Sequence, residues 1–373
     1  MKLKFITLVL SLCLLALFTA MSCSTAPAAG STTPTEGTAP PSTPPPPAPP
    51  STDQASLNAL TSAAARAEAA RKLAGDFEGQ SFFPEEWQSA DSLYAQAEQQ
   101  RNTSTTQNAN DSAARYNLAA DAFEALAQKA LAAAYEHAEK ELAAAREAAI
   151  AAGAAVLAPD FLLDADNKVA KALEQYQAKD YYAAKDSALD AYDMYTALKT
   201  ALDAKKIRDE IAARKFEVYD PASVDSGDNT LNAALDDYKA GNFSAAKDKA
   251  DEALALFSQV LKTAWESYAT KLRADVVAER QKALDLKANV AVKQDFDAAE
   301  SVYSQANLSF NARKHEDAGV LYEKCLPMFT AAAATALEKR LAAEEALRKA
   351  NERVAASDEA ARNAEIILEG GVQ

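Results

Sequence analysis

The stretch Tyr238-Lys239-Ala240-Gly241-Asn242-Phe243-Ser244-Ala245-Ala246 recurs in altered form as Tyr176–Ala184 and Phe310–Ala318. An aromatic precedes each turn, and Gly241-Asn242 supplies the left-handed stop and turn chemistry that ends a helix. Upstream of each turn four segments align when Pro84, Pro159, Pro221 and Lys293 are taken as origins. Three positions on stand Trp87, Leu162, Val224 and Phe296; six on, Ala90, Ala165, Gly227 and Ala299; seven on, Asp91, Asp166, Asp228 and Glu300. Ten on come Tyr94, Val169, Leu231 and Tyr303, and thirteen on Ala97, Ala172, Ala234 and Ala306. Offsets 3, 6, 10 and 13 trace one face of a helix, with large and small residues alternating along it. Proline at the first turn of such a helix forfeits no bond, because that N–H is an orphan in any case. The chain is therefore read as four repeats, each opening with a short helix A whose core face carries Trp87, Leu162, Val224 or Phe296.

A second helix, B, follows each turn. No Gly or Pro occurs in 111–152, 182–218 or 244–288, which predicts continuous helices of roughly 35 to 45 residues, ~55 to 65 Å long. A polar insertion, Asn102–Asn110, breaks the pattern in the first repeat, and Gly319 and Pro327 predict a kink in the last B helix. The origins lie 75, 62 and 72 residues apart, so a short helix up and a long one down advance each repeat by on the order of 30 Å. The far half of each B helix then packs with the next A and the near half of the next B. The expected fold is all-α, an elongated array of four short-A/long-B hairpins forming overlapping three-helix bundles; a tetratricopeptide-like superhelix is the alternative. A helix over Ala55–Ala74, stopped by Gly75, supplies the third partner for the first repeat. The resulting divisions are 55–152 (N-terminal helix and repeat 1), 153–218 (repeat 2), 219–288 (repeat 3) and 289–373 (repeat 4 with its long kinked helix).

The N-terminus has a different character. Lys2 and Lys4 precede an apolar stretch, Phe5–Phe18, shorter than the ~20 residues of a membrane span and suited to the core of a secretory signal. It ends in Thr19-Ala20-Met21-Ser22-Cys23, which resembles a bacterial lipobox with Met21 as an untidy member. Residues 1–22 are read as a lipoprotein signal peptide and Cys23 as the lipidated residue, whose several acyl chains hold a protein on a bilayer durably. From Cys23 to residue 54 runs a tether: ten of the 14 prolines fall between Ser24 and Ser56, a composition that cannot bury a core and favours an extended, solvated path. With Cys13 in the signal and Cys23 acylated, only Cys325 remains as a thiol, so no intrachain disulfide is expected.

The repeat as a whole, with proline, an apolar residue, Ala-Asp and then Asp180-Tyr181-Tyr182-Ala183-Ala184 or Gly241-Asn242-Phe243-Ser244-Ala245-Ala246, resembles the alanine-rich helical-repeat lipoproteins of spirochaetes, of the treponemal membrane protein A type. The hairpins, with Ala246 and Ala253 after the turn, are also similar to tetratricopeptide units, although the repeat is about twice the ~34 residues of that family. The lipoprotein resemblance implies a cell-envelope antigen without known catalytic activity. It brings no functional residues with it.

Reaction chemistry is sparse. The two histidines, His137 and His315, form no HExxH spacing, no cysteine pair exists, and nucleophile-elbow, phosphate-loop and dinucleotide motifs are lacking. His315-Glu316-Asp317 reads as a solvated turn. Asp164-Ala165-Asp166-Asn167 and Asp225-Ser226-Gly227-Asp228 lack the glycine and glutamate of a calcium loop. Cys325 takes the small slot held elsewhere by Ala191 and Ala253. No cofactor and no metal are expected, and the chain is not read as an enzyme. The formal charge is -15, and losing Lys2 and Lys4 leaves 37 basic against 54 acidic residues, or -17; such a surface repels phosphate backbones, so nucleic acid is not an expected partner.

One constellation does recur. Arg71, Arg146, Arg208 and Arg280 stand 13 residues before the origins, each 20 residues from Asp91, Asp166, Asp228 or Glu300. At similar heights on antiparallel helices these pairs are expected to meet and fix register. The function expected is that of a helical-repeat scaffold or protein-interaction module, held by its lipid on the cell membrane or outer membrane with the folded part in the periplasm or at the cell surface, and meeting unidentified envelope proteins. The alternative is a ligand-binding accessory lipoprotein of a transport system, for which a cavity lined by the repeat aromatics would speak.

Overall fold

The computed structural model describes residues 52–370. The signal peptide, Cys23 and the tether up to residue 51 lie outside the described residues. Within them the fold is all-α, with no strand. Helix α1 (Gln54–Asp76) leads into α2 (Gly79–Phe82), α3 (Pro84–Gln99) and α4 (Thr106–Ala151). The second repeat is α5 (Ala154–Leu157), α6 (Pro159–Gln177) and α7 (Tyr181–Arg214). In the third, a 3-10 turn (Phe216–Tyr219) precedes α8 (Pro221–Ala240) and α9 (Phe243–Asp285). The fourth comprises α10 (Ala288–Ala291), α11 (Lys293–Asn311) and α12 (His315–Gly370). The A helices are thus α3, α6, α8 and α11, with 16, 19, 20 and 19 residues, and the B helices α4, α7, α9 and α12, with 46, 34, 43 and 56.

Burial follows the staggered scheme. The first core joins α1, α3 and α4 through Leu60, Ala67, Ala74, Ala90, Tyr116 and Phe123. The second joins the far end of α4 (Leu142, Ala149) to α6 (Leu162, Ala165) and the near half of α7 (Tyr195, Leu198). The third combines Ile211 of α7, Val224 of α8 and Phe257 and Trp265 of α9, and the fourth Val276 of α9, Phe296 of α11 and Phe329 of α12. Each core after the first is one far B end, one A helix and one near B half. Successive B helices pack against one another, and each packs against its own A.

Leu162, Val224 and Phe296 are buried, whereas Trp87 is half-buried. The indole is larger than the slot those residues fill; it lies edge-on to Phe123 at 5.4 Å, and its outer rim rests where a Cβ on Gly75 would stand, 3.3 Å away. Gly75 is therefore not the helix stop expected of it. Helix α1 continues to Asp76 and the reversal occurs at Glu78, in the left-handed region at φ 61°.

That reversal belongs to a junction repeated in every unit. Glu78, Gly153, Lys215 and Lys287, each six before an origin, all adopt positive φ. Each is followed by a buried residue (Gly79, Ala154, Phe216 or Ala288), one helical turn, and an extended residue whose carbonyl accepts the first N–H of helix A, as in Trp87 N to Phe83 O at 2.9 Å and Phe296 N to Val292 O at 3.0 Å. Between A and B, Lys179, Gly241 and Arg313 again have positive φ, and the following N–H closes the helix end, for example Asn242 N to Asp237 O at 2.9 Å.

One other expectation shifts. In the first repeat α4 begins at Thr106, inside the Asn102–Asn110 insertion, because the Thr105 hydroxyl caps it by accepting Asn108 N at 3.1 Å. Asp53 caps α1 by accepting Ser56 N at 2.7 Å, and its own N–H donates to Thr106 Oγ1 at 3.1 Å. Helix α12 runs through Gly319 and Pro327 without interruption. Gly319 is there for Trp265, whose ring lies 2.8 Å from where a Cβ would stand.

The offset shared by Ala90, Ala165, Gly227 and Ala299 gives a direct test of packing. A Cβ at Gly227 would fall 2.5 Å from Phe257 Cε1, and Phe257 is fully buried. Alanine gains up to ~1 kcal/mol of helix propensity over glycine, but overpacking costs ~1 to 3 kcal/mol. Gly227→Ala is therefore expected to destabilise the protein in urea unfolding; a gain in stability would show that Phe257 yields freely.

Candidate functional site

The four arginine–acid pairs stand at corresponding places, the guanidinium on the far B end (or α1) and the carboxylate on the following A helix. Arg71 Nε lies 2.8 Å from Asp91 Oδ1. Arg146 is two-pronged, with Nε 2.7 Å from Asp166 Oδ1 and Nη2 2.9 Å from Oδ2. Arg208 Nε donates to both Asp228 oxygens at 2.9 and 3.1 Å, and its Nη1 reaches Glu217 at 3.2 Å. Arg280 Nε donates to Glu300. Where offset ten is tyrosine the guanidinium also lies over the ring, Arg71 at 5.4 Å from Tyr94 and Arg280 at 5.7 Å from Tyr303.

In the Arg146 pair the acid has a second donor, because Tyr195 OH also donates to Asp166. Tyr195 occupies the position of Phe257 and Phe329, so one hydroxyl distinguishes this repeat. Burial pushes the Asp166 carboxyl up, but the hydrogen bonds from Arg146 and Tyr195 outweigh it and hold the group below the ordinary carboxylate range. The hydrogen bond to Asp166 in turn raises Arg146. All four pairs keep a quarter or more of each side chain in solvent. Such pairs contribute only ~0 to 1 kcal/mol each, so they set register more than they add stability.

The remaining candidate groups stand apart from these pairs. His137 is exposed, 3.4 Å from Glu141, and His315 lies against Phe310 with ring centroids 5.2 Å apart. Cys325 is fully buried, and burial pushes its thiol up to about 11. Both candidate calcium stretches lie inside helices, in α6 and α8. Among the described residues no group of three or more His, Cys, Asp or Glu is placed to hold a metal ion.

The turn aromatics are spent on contacts between repeats. Tyr176 stacks near Tyr135 at 4.7 Å, and Tyr238 meets Phe161 at 5.1 Å and donates its hydroxyl to Phe161 O at 3.2 Å. A cleft of about 440 Å³ lies beside the last turn, lined by Ile207, Leu261, Trp265, Arg313 and His315. A smaller one of about 230 Å³ takes the same place in the first repeat, with Ala70, Leu131 and Tyr181 in the positions of Ile207, Trp265 and His315. Both are gaps between staggered hairpins.

The feature that the residue-by-residue reading did not anticipate is the end of α12. Every residue from Leu337 to Leu368 is exposed, among them Leu341, Leu347, Val354 and Leu368. In the three earlier repeats the far half of B is covered by the next hairpin. Here the helix is laced instead by its own pairs, such as Arg340 with Glu344 at 2.8 Å and Lys349 with Glu345 at 3.3 Å.

No protein-family model and no solved structure match the chain. Among curated proteins, Treponemal membrane protein A of Treponema pallidum (strain Nichols) is 24% identical over 240 residues, covering 64% of this chain and 69% of the relative. The chain is distantly related to that protein. Among the described residues no helix is long and apolar enough to cross a membrane.

The Asp166 contact predicts a pH dependence. A carboxyl whose folded pKa lies below its unfolded value stabilises fully above the unfolded value of ~3.9 and ceases to do so as pH falls through the folded one. The stability difference between the natural protein and Asp166→Asn should therefore be largest near neutral pH and shrink below about pH 4. Urea titrations of both proteins across this range check it; a constant difference would show that the carboxylate charge is immaterial.

Proposed function

We propose that this chain is an exported envelope lipoprotein, anchored through an acylated Cys23, that serves as a helical-repeat scaffold for other proteins of the envelope. The observation that carries the scaffold reading is the uncovered half of α12. In an array where each far B half is a docking surface for the next hairpin, residues 337–368 present that surface to solvent. The packing of the turn aromatics into contacts between hairpins also supports a scaffold over a ligand-enclosing transport accessory. No catalytic role is assigned to any residue. The membrane reading draws its support from the lipobox-like run before Cys23 and from the relative named for a membrane. Either the cell membrane or the outer membrane accommodates it, with the folded part in the periplasm or at the surface.

Two measurements test the proposal. Cys23→Ala is expected to abolish incorporation of labelled palmitate and to move the protein from the membrane to the soluble fraction; unchanged membrane retention overturns the anchor. A photo-cross-linking residue at Val354 in intact cells is expected to yield discrete protein adducts that the same residue at an exposed site on α8, Asp225, does not. Equal or absent adducts at both sites overturn the scaffold reading of α12.

A further inference from the structure

The uncovered half of α12 has a seam. In its packed half, Tyr322, Phe329 and Ala336 follow one another at seven-residue spacing and are buried. The same row continues into the exposed half as Ala343, Ala350, Ser357 and Ala364. Beside it runs a second seven-residue row, Leu347, Val354, Ala361 and Leu368. Spacings alternating three and four define a coiled-coil stripe, and every charged residue between Ala343 and Leu368 lies off it. The exposed stripe is thus continuous with an interface already formed in the fold.

One row is small throughout and the other carries every large residue. That asymmetry selects the partner geometry. In a parallel pair of identical helices like meets like, so Leu347 and Val354 layers would hold the backbones apart while Ala350 and Ser357 layers stood empty. In an antiparallel pair the rows exchange, and large faces small. With residues whose numbers sum to 711 brought level, Leu347 faces Ala364, Val354 faces Ser357, Ala350 faces Ala361 and Leu368 faces Ala343 of the other copy. Shifting by one heptad in one direction drives Arg340 into the seam; in the other it leaves Ala343 and Leu347 uncovered. The chosen register alone covers all of them with no charge inside. A two-fold pair of this kind is closed and self-complementary.

We infer that α12 is a homodimerisation helix, and that the occupant of its exposed seam is the same helix of a second copy, antiparallel and centred between Ala355 and Ala356. The inference rests on the docking role proposed above for this half of α12 and names its partner. It is tested with the full chain, two differently tagged copies being co-expressed and cross-linked by mild oxidation. Leu347→Cys in one copy and Ala364→Cys in the other should give a covalent dimer carrying both tags, at least tenfold more than either variant paired with itself. Cross-linking of Leu347→Cys with itself to the same extent would overturn the antiparallel register, and absence of any cross-link would overturn the dimer. Independently, Leu347→Glu/Val354→Glu should weaken self-association at least a hundredfold in sedimentation while the unfolding midpoint of the repeats stays in place. Persistence of the dimer in that variant also overturns the inference. If no self-cross-link forms, yet Val354 adducts to other proteins appear in cells and vanish in the double variant, the second copy is the wrong occupant and the scaffold reading stands.

Discussion

A B helix that outreaches its own A helix must find cover from the next repeat, and the rest of the architecture follows from this mismatch. Alone, the far half of α4, α7 or α9 would hold residues such as Leu142, Ile211 and Val276 in water. Burying a large aliphatic side chain contributes ~1.5 to 3 kcal/mol, so the following hairpin is drawn onto it. The mismatch sets the stagger, divides the core into successive segments, and places an arginine on the covering end opposite an acid on the covered hairpin.

Much of this was legible because the repeats could be read against one another. A single alanine-rich helix says little, but Trp87, Leu162, Val224 and Phe296 at one offset identify a face, and arginines at a fixed distance before the origins identify pairs. The junctions were less legible. Glu78, Lys215 and Lys287 adopt positive φ although their side chains do not favour it, and only Gly153 declares the geometry by its residue type. The conformation is imposed from outside: the next residue must enter the core while the chain reverses within a few residues. Gly75 misled in the opposite sense. A tryptophan from another helix presses on it, as one does on Gly319, and each helix runs on past its glycine.

The surface chemistry fits the same account. Polar groups that recur, such as Arg208 with Asp228, align helices, and those that do not, such as Glu217 on Arg208 and Tyr195 on Asp166, adjust one repeat. What the described residues offer is exposed helical surface, continuous along residues 337–368 of α12.

The junction described for every repeat has a mechanical consequence. Because each hairpin touches chiefly those before and after it, tension applied along the chain has no global lock to break. Linear arrays of this sort lose structure from their ends inward, one interface at a time. A protein held at one end and gripped at the other would lengthen by whole hairpins, each peeling from its neighbour as the core between them opens. It would act as a compliant, reversible spring in place of a stiff post.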